Sequence, residues 1–208
     1  DAIRRGYPFE AAHVVYPGAF VKSFKMAVPP AIDTLRIAYA GLITDSKGPQ
    51  VLIGALHILS KKGIDFRCSI AGGTLNRRFL AGLEGIVQDL GLAGKIFFHG
   101  RLDRDGLKDL FAKSNVLAFP SLANETFGIS QVEGMAAGLL VVTSGPGGAG
   151  EVIEDGKSGL FFEPGNKADL AEKIDRLLKN PEEASTMGIE GRRLVKERFL
   201  ETQHRKGL

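Results

Sequence analysis

The sequence predicts an α/β fold, a parallel sheet of about six strands with helices on both faces. Short β-type runs alternate with amphipathic stretches from about Leu35 onward, the pattern of a sheet whose strands are joined by crossover helices. Turn residues, chiefly glycine and proline, punctuate the alternation. The chain has 208 residues, 44% hydrophobic and 25% charged, enough for one well-buried domain and too few for two domains with a cleft between them.

The elements follow in order. The run LRIAYAGL reads as a strand. A helix is expected from about Pro49 to Lys61, because Leu52, Leu56 and Leu59 recur on one face and Pro49 suits a first-turn position. The strand DFRCSIAG follows Gly63, and a helix from about Arg77 to Leu90 leads through the Gly91 to Gly94 turn into the strand KIFFHG. A short helix from Asp105 to Lys113 precedes the strand NVLAFP. After it come a helix from about Ile129 to Ala137, the strand LLVVTS, the glycine-rich turn GPGGAG, a short helix near Glu151 and the strand GLFFE. Helices over about Lys167 to Leu178 and Glu182 to Glu197 close the chain.

Residues 1–34 stand outside this rhythm. Pro8, Pro17, Gly18, Pro29 and Pro30 break them up and only HVVY has strand character, so they read as a linker and residues 35–208 as the domain.

Composition excludes several classes. A net charge of +3 from 27 basic and 24 acidic residues is too mild and dispersed for a nucleic-acid partner. The chain holds no 18-residue apolar run and opens DAIRRGYPFE, without the apolar core of a signal peptide. Cys68 is the single cysteine, a buried strand residue within FRCSIAGG that fits a reducing cytoplasm. His13, His57, His99 and His204 are scattered without metal-ligand spacing, so no metal is expected.

The chemistry concentrates in FPSLANETFGISQVEGMAAG, which leaves a strand and opens a helix near Phe127 to Ile129. The first N–H groups of such a helix lack intrahelical partners and the helix dipole adds positive potential, so an anion is favoured there. Gly128 permits close approach of a phosphate. Glu133, one turn inside, suits ribose hydroxyls, and Glu125 in the preceding loop suits a sugar. A solvated surface pair is the plainer alternative, made less apt by the position at a sheet's carboxyl edge.

Three further loops converge on the same edge. In AGLITDSKGPQ, Gly41 permits a tight turn and Lys47 stands where an ammonium reaches a diphosphate and offsets leaving-group charge. In AGGT and HGRLDRDGL, Gly72, Gly73 and Gly100 either let backbone crowd a ligand or merely close turns. Arg101 and Leu102 line a slot for a base there, the leucine by packing, the arginine by stacking or phosphate contact. In GPGGAGE, Gly147 and Gly148 form either an anion nest, with Glu151 capping the next short helix, or a purely structural turn.

Together these residues resemble the C-terminal domain of the retaining glycosyltransferases of family 4, the GT-B-fold group called glycosyl transferases group 1. The likeness runs from about Leu35 to Phe199. Its central mark is a glutamate, seven residues and a second glutamate, here Glu125 and Glu133. Around it stand Pro120 and Ser121, EGMAAG, VVTSGPGGAGE, EDGKSGLFFEPG, and Lys47 with Gly48.

The resemblance implies a Rossmann-like half of a GT-B fold that binds a nucleoside-diphosphate sugar. Glu133 would hold the ribose, Glu125 the transferred sugar, Lys47 the diphosphate, and the amides of Phe127, Gly128 and Ile129 the phosphates or sugar. No cofactor is implied. The acceptor would bind in an N-terminal domain missing from this chain, whose end GYPFEAAHVVYPGAF resembles. One departure stands out: the group carries an arginine after the glycine matching Gly41, and this sequence has Leu42. Losing that guanidinium removes a contact worth roughly 1.5–3 kcal/mol.

The expected function is therefore a donor domain for retaining sugar transfer to a hydroxyl acceptor, inactive without its partner domain. Alternatives are a sugar-nucleotide epimerase on the same fold, a degenerate binding module, and a glycoside hydrolase using the glutamate pair. A cytoplasmic place follows, with peripheral membrane contact compatible with Arg192, Arg193, Lys196 and Arg198.

Overall fold

The structure, a computed structural model, describes residue 24 and residues 34–145 and 147–199. Its strands are β1 (Leu35–Ala40), β2 (Phe66–Ala71), β3 (Ile96–Gly100), β4 (Val116–Phe119), β5 (Leu140–Thr143) and β6 (Leu160–Phe161). They form one sheet in the order β3-β2-β1-β4-β5-β6, parallel throughout. The helices are α1 (Pro49–Lys61), α2 (Arg77–Asp89), α3 (Arg104–Ala112), α4 (Ile129–Ala136), α5 (Lys167–Lys179) and α6 (Pro181–Arg198). From Leu35 onward each predicted element is present, with ends shifted by a residue or two.

Strand alternation divides the core in two. Leu35, Ile37 and Tyr39 of β1, with Val116 and Ala118 of β4, face α1, α2 and α5. Ala38 of β1 and Leu117 of β4 face α3 and α4 on the other side. The last helix, α6, spans the two layers: Ala184 and Met187 join the first core, Leu194 and Val195 the second. Cys68 is fully buried in the first core, and that burial pushes its thiol well above the ordinary range.

The order of strands places the functional edge. From β1 the chain winds outward through β2 to β3, then crosses back to β4 and winds the other way through β5 to β6. Right-handed crossovers running in opposite directions set their helices on opposite faces, so the loops leaving adjacent β1 and β4 diverge and open a crevice at the carboxyl edge.

The expected linker over residues 1–34, with its HVVY strand, lies outside the described residues apart from Phe24 and Thr34. Phe24 is buried in the second core, its ring 5.7 Å from that of Phe111. Among the described residues no helix is long and apolar enough to cross a membrane.

Candidate functional site

The loops after β1 and β4 are stitched together. The chain leaves β1 through Gly41 and Leu42, makes a single 3-10 turn over Asp45–Lys47, and enters α1 at Pro49. Leu122 and Ala123, beyond β4, both donate their backbone N–H to the Ser46 carbonyl, at 2.8 and 3.2 Å. Gly48, at φ 71°, lies so near Pro120 that a Cβ would overlap the Pro120 carbonyl. These bonds set Lys47 beside the β4 loop.

Glu125 is held from three sides. The Lys47 ammonium donates to both carboxylate oxygens, at 2.6 and 2.7 Å, and the Ser121 hydroxyl donates to one of them. Its backbone pairs with Gly147, and the Gly148 N–H donates to its carbonyl at 2.7 Å. The glycine-rich turn thus fastens the Glu125 loop, the structural alternative for that segment. Gly147, not Glu151, occupies the N-cap position of the 3-10 turn Gly148–Glu151, of which Glu151 is the last residue.

Beyond Glu125 the chain enters α4. Gly128 is its N-cap in the left-handed region at φ 81°, a conformation glycine adopts at no steric cost, and no side chain caps the helix. Anion-binding capacity at this first turn therefore rests with backbone amides and the helix dipole. Phe127 as a whole residue is 3% exposed, and its ring packs edge-on against Phe199. Ile129 is exposed.

The crevice consists of two adjoining cavities. The first, about 420 Å³, is lined by Gly41, Leu42, Lys47, Glu125, the Phe127 to Ser130 turn and Glu133, so the two glutamates share one space. Burial holds the Glu133 carboxyl above the usual carboxylate range, and the charge of Arg104 partly opposes this. The second, about 630 Å³, is lined by Gly72, Gly73, Thr74, Leu75, Arg101, Leu102 and Leu107. Gly41 and Leu42 border both. The structure therefore brings every predicted site residue to one edge, but splits them between two compartments.

Two groups escaped the sequence reading. The Tyr39 hydroxyl donates to the Leu42 carbonyl at 2.7 Å beneath the Gly41 turn, and burial, then the charge of Glu125, drive its phenol well above the ordinary value. Ser121 was visible only as a strand-end mark, and its bond to Glu125 as a hydroxyl four residues ahead of the carboxylate. Among the described residues no three His, Cys, Asp or Glu side chains converge on a metal position.

The sequence model for the family described as Glycosyl transferases group 1 matches residues 25–194. An uncharacterized glycosyltransferase of Methanocaldococcus jannaschii is 32% identical over 158 residues, which are 76% of this chain and 39% of that protein. D-inositol 3-phosphate glycosyltransferase of Paenarthrobacter aurescens is 30% identical, over 75% of this chain and 38% of its own length. This chain thus spans about two fifths of these curated relatives. In fold it is similar to Anabaena HepE, whose crystal structure holds UDP and glucose: TM-score 0.87, 23% identity, covering 99% of this chain and 57% of that one.

Proposed function

This chain belongs to the glycosyl transferases group 1 family, and from that premise we propose that it is the donor-binding half of a retaining glycosyltransferase. It holds a nucleoside-diphosphate sugar while an N-terminal domain, outside this sequence and joined through residues 1–34, presents a hydroxyl acceptor. The observation that carries this reading is the convergence of Lys47, Glu125, Glu133 and the uncapped start of α4 on one cavity at the point where the strand order reverses. The relatives' names and the UDP and glucose bound by HepE support it.

In this mechanism the amides of Phe127, Gly128 and Ile129 take the phosphates or sugar, and the Glu133 carboxylate accepts hydrogen bonds from the ribose. Glu125 accepts them from the transferred sugar. As the bond from the anomeric carbon to the diphosphate breaks and a bond to the acceptor oxygen forms, the hydroxyl proton passes to the departing diphosphate, and Lys47 offsets the charge gathering there. Retention at the anomeric carbon is part of the proposal, as is chemistry without a metal or other cofactor.

The proposed setting is cytoplasmic. Peripheral contact of the full protein with the membrane gains little from α6, because Arg193 is bracketed by Glu190 and Glu197, Arg198 pairs with Glu154, and Arg192 donates to the Ala136 carbonyl.

Isothermal calorimetry with UDP-, GDP- and ADP-sugars tests the donor site on this chain. Saturable binding of at least one is expected. No heat from any of them at millimolar concentration counts decisively against the reading.

A further inference from the structure

We propose that Arg101 selects the nucleotide base, favouring one that presents carbonyl oxygens, uracil or guanine, over adenine; this rests on the donor reading of the crevice. Among the described residues lining the second cavity, Arg101 is the one ionisable side chain. Apart from Thr74, the rest of the lining is small or apolar, from Ala40, Ala71 and the glycines to Leu75, Leu102 and Leu107. Thr74 has the other polar side chain, and its hydroxyl is already used within its own loop, donating to the Ile43 carbonyl at 2.9 Å and accepting from the Asn76 N–H at 3.1 Å.

The slot's shape comes from backbone. A Cβ on Gly72 would overlap the Gly41 carbonyl oxygen, so the turns after β1 and β2 lie directly against each other and make a floor without side chains. Above Gly73 the space is open, its nearest neighbour being the Arg101 Cβ at 4.0 Å. Arg101 leaves the end of β3 beside that opening, is exposed, and makes no hydrogen bond or ion pair among the described residues. A space of about 630 Å³ with a backbone floor and leucines in its lining accepts a flat ring, and among the described side chains of that lining the guanidinium is the remaining polar reader.

The chemistry of that reader sets the preference. A guanidinium carries five N–H donors in a rigid fork and no acceptor. Guanine turns two acceptors, O6 and N7, toward such a fork, and uracil offers carbonyl oxygens. Adenine sets an amino donor beside N7, so one arm of the fork meets another donor. Gly41 and Leu42, bordering both cavities, are the ridge across which the nucleotide would lie, its phosphates toward α4 and its base toward Arg101.

The test is calorimetry of UDP, GDP and ADP on this chain, with and without Arg101→Ala. UDP or GDP is expected to bind about ten-fold tighter than ADP, the size of one charge-assisted hydrogen bond. Arg101→Ala should weaken that nucleotide by a similar factor and move ADP less than two-fold. Thermal melts that superimpose would establish that the variant is folded. Binding of all three with ADP equal or tighter overturns the inference and leaves the donor site standing, as does an equal loss for all three in Arg101→Ala, the mark of a phosphate contact or simple stacking. If none of the three binds the unaltered chain, the donor reading falls, and base selection with it.

Discussion

Lys47 and Glu125 lie 78 residues apart in sequence, yet the ammonium sits 2.6 and 2.7 Å from the two carboxylate oxygens. Their side chains are 31% and 11% exposed, so this is not a surface pair screened by water. It joins the loop after β1 to the loop after β4 across the crevice, and ties the proposed phosphate-binding cation to the proposed sugar-binding acceptor. Each positions the other, and a diphosphate arriving at the proposed site would have to share the ammonium with Glu125.

Removing the cation should therefore damage fold and binding together. Lys47→Ala leaves a mostly buried carboxylate with Ser121 as its one side-chain donor among the described residues, which should cost about 1–3 kcal/mol of unfolding free energy. Glu125→Gln should cost less, because the amide oxygen still accepts from Lys47. Urea unfolding of the two single variants and the double variant should give a coupling energy of about 1 kcal/mol. A coupling near zero would show that the pair holds nothing together.

Glu133 should carry the opposite trade. Burial raises the pKa of its carboxyl in the folded chain. Between the unfolded and folded pKa values the folded state binds more protons, so stability falls as pH rises through that window. The penalty is absent below the unfolded value and fully present above the folded one. Glu133→Gln should accordingly be more stable than the parent at pH 7, with the advantage vanishing as the pH drops below the carboxylate range. The same variant should bind nucleotides more weakly, since an amide accepts less strongly from ribose hydroxyls. Thermal melts at pH 4 and pH 7 beside calorimetry at pH 7 check both halves.

The elements were legible because local pattern decides them: the Leu52, Leu56, Leu59 stripe of α1 and the punctuating glycines needed no tertiary knowledge. The start of α4 was equally plain from Gly128 between a strand and EGMAAG. What stayed hidden depends on contacts distant in sequence. Nothing near Lys47 points to Glu125, and nothing in GPGGAGE says that the Gly148 amide is spent on the Glu125 carbonyl rather than left for an anion. The division of the site residues into two cavities, with Gly41 and Leu42 between, follows from strand order, which no local signal encodes.

Two glycines should tolerate no methyl group, for different reasons. At Gly72 a Cβ would meet the Gly41 carbonyl, which is backbone and cannot rotate away, so Gly72→Ala should force the β1 and β2 turns apart at a cost of about 1–3 kcal/mol. At Gly128 the left-handed backbone alone penalises alanine by about 1 kcal/mol, and the Cβ would also press on the Gln131 amide. Both variants should bind nucleotides more weakly. Denaturant midpoints unchanged from the parent would show that these turns are looser than the structure has them.

Leu42 offers the sharpest separation between a working donor site and a degenerate one. The side chain is 50% exposed at the border of the two cavities, and its carbonyl is anchored by the Tyr39 hydroxyl. A longer side chain there meets open space, so Leu42→Arg should fold as well as the parent. If the crevice binds a diphosphate on Lys47 and α4, a guanidinium at this border adds a second cation within the same site. It should tighten nucleoside-diphosphate binding about ten-fold or more, the worth of a charge-assisted contact. The gain should shrink as salt is raised from 50 to 500 mM, because a partly exposed charge is screened. An affinity that does not move would mean that no diphosphate rests beside Leu42, and would favour a module that has lost donor binding.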